Sequence, residues 1–140
     1  MTTLAQQASQ VRLATFRLAR RMRAQKSDDS ITDGQMTVLM TLSKQPSLTL
    51  SALAERERVS APSMNRTVNC LEEAGFLARA EDGEDRRKTN ISLTPSGQEV
   101  VKKTVSQRDA WLTERMRALT PDERDVLARA AELMGRLATQ

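Results

Sequence analysis

Apolar residues recur along residues 4–22 as Leu4, Ala8, Val11, Thr15, Leu18 and Met22, at intervals alternating between four and three. A 3.5-residue period predicts a helix with a narrow seam, of the kind one helix offers to another. Residues 27–30 (SDDS) predict a turn. Thr32, Asp33, Gly34 and Gln35 form a T-x-x-Q capping box, which opens a second helix with Met36, Leu39, Met40 and Ser43 on one side. Lys44–Ser47, with Pro46, ends it. Leu48–Leu50 is short and β-prone, and predicts a small strand.

Residues 51–75 predict two short helices joined by a tight turn. Ser51 can cap the first, whose apolar residues are Leu53 and Ala54; the turn falls at Arg58, Val59 and Ser60. Ser60 is placed to cap the second helix, and Pro62 lies in its first turn, where a missing N–H costs nothing. Met64, Val68 and Leu71 make one face, and at about 100° per residue Asn65, Arg66 and Asn69 fall on the other. Cys70, on the flank, is expected to be packed, where a thiol is usually inert. Gly75 is the C-terminal stop.

Alternation then returns. Phe76, Ala78 and Ala80 on one side of the charged tip EDGEDRRK, and Thr89, Ile91 and Leu93 on the other, predict a hairpin with its apolar face on those positions. Thr94 and Pro95 restart a helix with Val101, Val105, Leu112, Met116 and Leu119 in a stripe and Trp111 beside it. Thr120–Glu123 is a second capping box, before a last helix through Val126, Leu127, Ala130, Leu133, Met134 and Leu137. The order is α-α-(β)-α-α-β-β-α-α, mainly α with a small hairpin.

A chain of 140 residues suits one domain, or a small domain with an oligomerising part. Aromatic residues are only 2%, so the core rests on Leu, Val, Ala and seven Met. No apolar run approaches the ~18 residues of a membrane helix, and no signal-peptide core is visible; a cytoplasmic protein is expected. The absence of histidine removes the usual general base and metal ligand, and the single cysteine permits neither an internal disulfide nor a zinc cage. An enzyme, a cofactor and a metal site are therefore not expected.

The net charge of +4 is unevenly placed. Residues 1–26 carry Arg12, Arg17, Arg20, Arg21, Arg23 and Lys26 without an acid, so the rest of the chain sums to −2. An acid-free basic helix also fits a transit peptide or a membrane-surface helix, but its continuity with the pattern beyond favours helix packing. From Pro46 to Thr94 seven basic residues face eight acidic ones, so bulk charge does not point to DNA there; only individual arginines could.

The chain resembles the MarR family of bacterial transcription regulators. The resemblance is carried by Leu53-Ala54-Glu55-Arg56, Val59-Ser60, Arg66-Thr67-Val68 and Leu71-Glu72-Glu73-Ala74-Gly75-Phe76. The tip Asp82-Gly83-Glu84-Asp85-Arg86-Arg87 and the exit Ile91-Ser92-Leu93-Thr94-Pro95-Ser96-Gly97 complete it. It implies a winged helix-turn-helix of six helices in an obligate homodimer. Residues 1–30 and 95–140 would dimerise, and residues 31–94 would bind double-stranded DNA at a pseudo-palindromic operator. Carried onto this sequence, Ser60, Ser63, Asn65, Arg66 and Asn69 match the recognition region. Arg87 matches the minor-groove arginine of the wing, with Asp85 orienting it, and Arg86 and Arg79 would flank phosphates.

The chain departs from the family at Glu57-Arg58, where an apolar residue and a glycine are usual; a left-handed Arg58 is implied. The resemblance also implies a small aromatic effector, neutral or anionic, where the dimer helices meet the winged domain, with Phe16, Arg17, Arg20, Met36 and Met40 as its candidate contacts. Expected, then, is a ligand-released regulator, most simply a repressor. The alternatives are a non-specific architectural DNA binder and an amphipathic membrane-surface protein.

Overall fold

The computed structural model describes all 140 residues. In chain order the elements are α1 (Leu4–Arg23), α2 (Asp33–Lys44), β1 (Leu48–Thr49), α3 (Leu50–Arg56), α4 (Ala61–Glu73), β2 (Leu77–Glu81), β3 (Thr89–Leu93), α5 (Pro95–Met116) and α6 (Pro121–Ala138). The six helices and the hairpin match the expected winged helix-turn-helix. Three antiparallel strands form a sheet in the order β1-β3-β2.

Every helix starts on a side-chain cap. Thr32 and Thr120 close the two capping boxes read from the sequence, and Thr3 with Gln6 makes a third. Ser60 accepts from the Ser63 backbone N–H at 3.2 Å, as expected. The cap of α3 is Thr49 rather than Ser51: its hydroxyl accepts from Ala52 N at 3.1 Å. Both residue types can cap. Pairing of Thr49 with Asn90 at the end of β1 decides between them, and leaves Leu50 helical.

The core lies between the helix pair, α2 and the inner face of the sheet. Leu39, Leu53, Val68 and Ile91 are fully buried in it, and Met64, Leu71 and Leu77 complete the layer. α2 buries Val38 and Leu42 as well as Met36 and Leu39, whereas Ser43 is exposed. It lies against both α5 and β3, so a single stripe was too narrow an expectation. The face of β2 is also shifted by one residue. Leu77 and Arg79, not Ala78 and Ala80, share the side of Leu93 and Ile91. Phe76 is buried from the turn before the strand, where its N–H donates to Leu71 O at 2.9 Å.

Two helices end in the same way. At the end of α3, Val59 N donates to Ala54 O and Arg58 N to Glu55 O. At the end of α4, Phe76 N donates to Leu71 O and Gly75 N to Glu72 O. Both are Schellman motifs, which need a residue with positive φ. Gly75 supplies it at +86°, while Arg58 is held at +55°. A non-glycine residue there costs on the order of 1 kcal/mol. Arg58→Gly is therefore expected to raise stability by up to ~1 kcal/mol, part of the gain being offset by the looser unfolded chain. A higher denaturant midpoint at unchanged slope would confirm it; a lower one would show that Arg58 is not strained.

α5 fastens the basic N-terminal region to the core. Ser27 N donates to Thr104 Oγ1 at 3.2 Å, Ser27 Oγ donates to Val100 O at 3.1 Å, and Arg108 Nε donates to Gln25 O at 3.2 Å. Trp111 is flanked by two guanidinium groups, Arg21 at 5.1 Å and Arg115 at 3.8 Å from the ring centroid. Yet α1 and α6 bury no residue at all. Their apolar seams, together with Val105, stand exposed on the single chain. No helix is long and apolar enough to cross a membrane.

Candidate nucleic-acid interface

α4 presents a polar line away from the core. Met64, Val68 and Leu71 are buried beneath it, while Arg66 and Asn69 are exposed and Asn65 and Ser63 half-buried. Ser60, at its N-cap, is exposed. Cys70 is exposed rather than packed. About 100° per residue sets it more than 90° from the Val68–Leu71 stripe, past the edge of what the core covers.

The wing is built around Asp85. Its Oδ1 accepts from Arg87 N at 3.0 Å and from Arg87 Nε at 3.2 Å, and its Oδ2 accepts from Arg87 Nη2 at 3.3 Å. This fork holds a guanidinium that is otherwise 90% exposed, while the carboxylate is only 28% exposed. The same side-chain and backbone bonds hold the Asp85 carboxyl below its ordinary range, with Lys88 adding a smaller pull in the same direction. A carboxylate lowered in this way is ionised throughout the neutral range, and the fork loosens only as pH falls through that lowered value. Behind the tip, Asp82 N donates to Lys88 O at 3.0 Å, and Asp82 Oδ1 accepts from Glu84 N at 3.1 Å, so one of the wing's acids is occupied with its own turn. Arg66 and Arg86 are exposed and form no ion pair within the chain.

Arg79 behaves differently from the other arginines. From β2 its Nη2 donates to Asn65 Oδ1 at 3.3 Å and also to Asn69 Oδ1, and its Nε lies 3.4 Å from Glu72 Oε1. It is turned towards α4.

A second arrangement lies where α1, α2 and α5 meet. One cleft of about 380 Å³ is lined by Phe16, Ala19, Arg20, Arg23 and Asp33. Another of about 350 Å³ is lined by Ala19, Met22, Arg23, Met40, Val105, Arg108 and Asp109. Phe16, Arg20 and Met40 are thus brought to this junction. Met36 is not: it is 1% exposed and is packed within the hydrophobic core. Arg17 lines neither cleft. Arg23 and Arg108, which the sequence did not single out as effector contacts, join Arg20 there, against the carboxylates of Asp33 and Asp109. Burial pushes Arg108 below its ordinary value, with Asp33 opposing that shift and Arg23 adding to it.

The MarR family profile matches residues 31–89. An HTH-type transcriptional regulator of Mycobacterium tuberculosis is 40% identical over 127 residues, which is 91% of this chain and 89% of that protein. The chain belongs to the MarR family. A MarR family protein from Bacillus stearothermophilus shares its fold, with a TM-score of 0.86 over 100% of this chain and 99% of that one, at 21% identity. BpsR of Bordetella bronchiseptica is 26% identical, with a TM-score of 0.63 over 90% of this chain and 98% of its own; 6-hydroxynicotinic acid regulates its DNA binding. The present chain is accordingly a MarR-family transcription regulator with a winged helix-turn-helix.

Proposed function

We propose that this MarR-type regulator works as a homodimer that represses transcription by occupying a pseudo-palindromic operator and is released by a small aromatic anion. The observation that carries the operator reading is the Asp85–Arg87 fork, a rigid cation at the hairpin tip beside a helix whose outward face carries Ser63, Asn65, Arg66 and Asn69. α4 suits the major groove, where a good bidentate contact discriminates by roughly 1–3 kcal/mol. The wing arginine suits the adjacent minor groove. A two-fold dimer would place its half-sites about one DNA turn apart, ~34 Å. The exposed apolar seams of α1 and α6 support the dimer. An architectural, sequence-blind role is disfavoured, because such binding depends on neutralising many phosphates and the winged region has one more acid than base.

Arg87→Ala tests the wing. Affinity for a palindrome found upstream of the protein's own gene should fall about five- to tenfold, equivalent to ~1–1.4 kcal/mol, with the oligomeric state and melting temperature unchanged. Equal affinity for the two proteins would remove the wing from the interface.

The effector site is proposed at the α1–α2–α5 junction. Phe16, Met22 and Met40 offer apolar contact, and Arg20, Arg23 and Arg108 offer cationic contact. BpsR, which responds to an aromatic acid, supports this ligand class. A ligand acts there by preferring one angle between the dimer helices and the winged domains, and hence one half-site spacing. Titrating 6-hydroxynicotinate and salicylate against a preformed protein–DNA complex should release the DNA, and Arg108→Met should blunt the release without weakening operator binding. Failure of every aromatic acid to release DNA would refute the ligand class.

A further inference from the structure

Arg79 bears on how the recognition helix reads bases. Asn65, Asn69 and Glu72 succeed one another at intervals of four and three along one line of α4, and all three converge on this one guanidinium. A guanidinium has five donors and no acceptor. An amide beside it can therefore turn only its oxygen inward; the reverse orientation would set N–H against N–H. The two orientations of an asparagine amide are often ambiguous, but here the chemistry of the neighbour fixes both. With Oδ1 of Asn65 and Asn69 both turned to Arg79, their Nδ2 groups are left without a partner in the chain. Glu72 offsets the charge of Arg79 within the protein, and the guanidinium of this half-buried residue is held against the side of the helix.

We propose that Arg79 is a positioning residue that makes Asn65 and Asn69 donor-only readers. The proposal rests on α4 being the base-reading helix. A free asparagine pairs with adenine through two bonds, accepting from N6 while donating to N7. With the oxygen turned inward, that pairing is lost. Edges that only accept, guanine N7 and O6 and thymine O4, become the favoured partners. Arg79 thus sets specificity without touching DNA. Its place on β2, opposite Ile91, lets its guanidinium reach Asn65, Asn69 and Glu72 together.

The test is selection of the full-length dimer on a library of randomised duplexes, using the wild type, Asn65→Ala, Asn69→Ala and Arg79→Gln. The alanine variants identify the base pairs that each asparagine reads. At those positions the wild type should select guanine or thymine, and Arg79→Gln should raise adenine relative to guanine roughly tenfold, because a glutamine can accept as well as donate and so frees the amides to turn. Arg79→Lys, still donor-only, should keep the wild-type preference. Should the glutamine variant not fold, Arg79→Met gives the same readout. Adenine selected by the wild type at those positions would overturn the proposal. So would an unchanged base preference in Arg79→Gln together with a salt dependence shallower by about one phosphate, which would make Arg79 a backbone contact. Failure of the underlying reading would look different: the wild type itself would enrich no sequence.

Discussion

Leu133→Asp is expected to convert the protein to a monomer and to abolish operator binding at concentrations where the wild type saturates it. Leu133 lies in the middle of the α6 face that runs from Val126 through Ala130 to Leu137, and it is 51% exposed on the single chain. Burying a leucine contributes about 1.5–3 kcal/mol. Leu133 is already about half covered in the single chain, and in a two-fold interface the substitution occurs twice, so the lost burial comes to ~1.5–3 kcal/mol. A carboxylate buried without a partner adds further cost. At 1.4 kcal/mol per decade, the lost burial alone should raise the dimer dissociation constant about ten- to a hundredfold, and the two buried carboxylates should raise it further. A monomer engages one half-site, and losing the second costs about 10²–10⁴ in apparent affinity. The winged domain should stay folded, because no side chain of α6 contributes to its core. Light scattering, circular dichroism and DNA titration on one preparation check all three expectations. A variant that remains dimeric and binds normally would place the interface elsewhere.

Which features could be read from the residues depended on whether neighbours in sequence or neighbours in space decide them. The caps at Thr32, Ser60 and Thr120 and the buried line Met64–Val68–Leu71 are set by spacing within one helix, and the structure keeps them. The left-handed Arg58 was legible because a turn that usually carries glycine had none. By contrast, Phe-Leu-Ala-Arg-Ala offers apolar residues at both phases of a strand. Only the turn after Gly75 and the register against β3 select Leu77 and Arg79 as the inner pair. That one-residue shift is what brings Arg79 beneath α4. Met36 looked like a cleft residue because it shares a helix side with Met40, yet α2 is covered on two sides and Met36 faces the core. Arg23 and Arg108 stand on different helices, far apart in sequence, and no local pattern could have joined them.

Gly97→Ala is expected to destabilise the protein by about 1–2 kcal/mol, although helix propensity alone predicts the opposite. Gly97 is in the first turn of α5, where alanine normally exceeds glycine by up to ~1 kcal/mol. Here a Cβ would lie 2.2 Å from the carbonyl oxygen of Phe76, 3.1 Å from its carbon and 3.3 Å from Leu93 Cδ2. The first of these neighbours is backbone and cannot step aside. Phe76 O accepts from Thr94 N at 3.1 Å, and Thr94 Oγ1 donates to Gly75 O at 2.6 Å, so the end of α4 and the start of α5 are bonded to each other across the gap. Overpacking a fixed site costs about 1–3 kcal/mol or more, which outweighs the propensity gain. For a chain of 140 residues the melting temperature should drop by roughly 3–7 °C, measured at one protein concentration because the proposed dimerisation would shift it. Gly34→Ala is the matched control: it too lies in the first turn of a helix, nothing stands within 4 Å of its added Cβ, and stability should rise by up to ~1 kcal/mol. Equal gains in the two variants would mean that the Phe76 carbonyl yields freely. A loss at Gly97 alone would mark this contact as a rigid joint between the end of α4 and the start of α5.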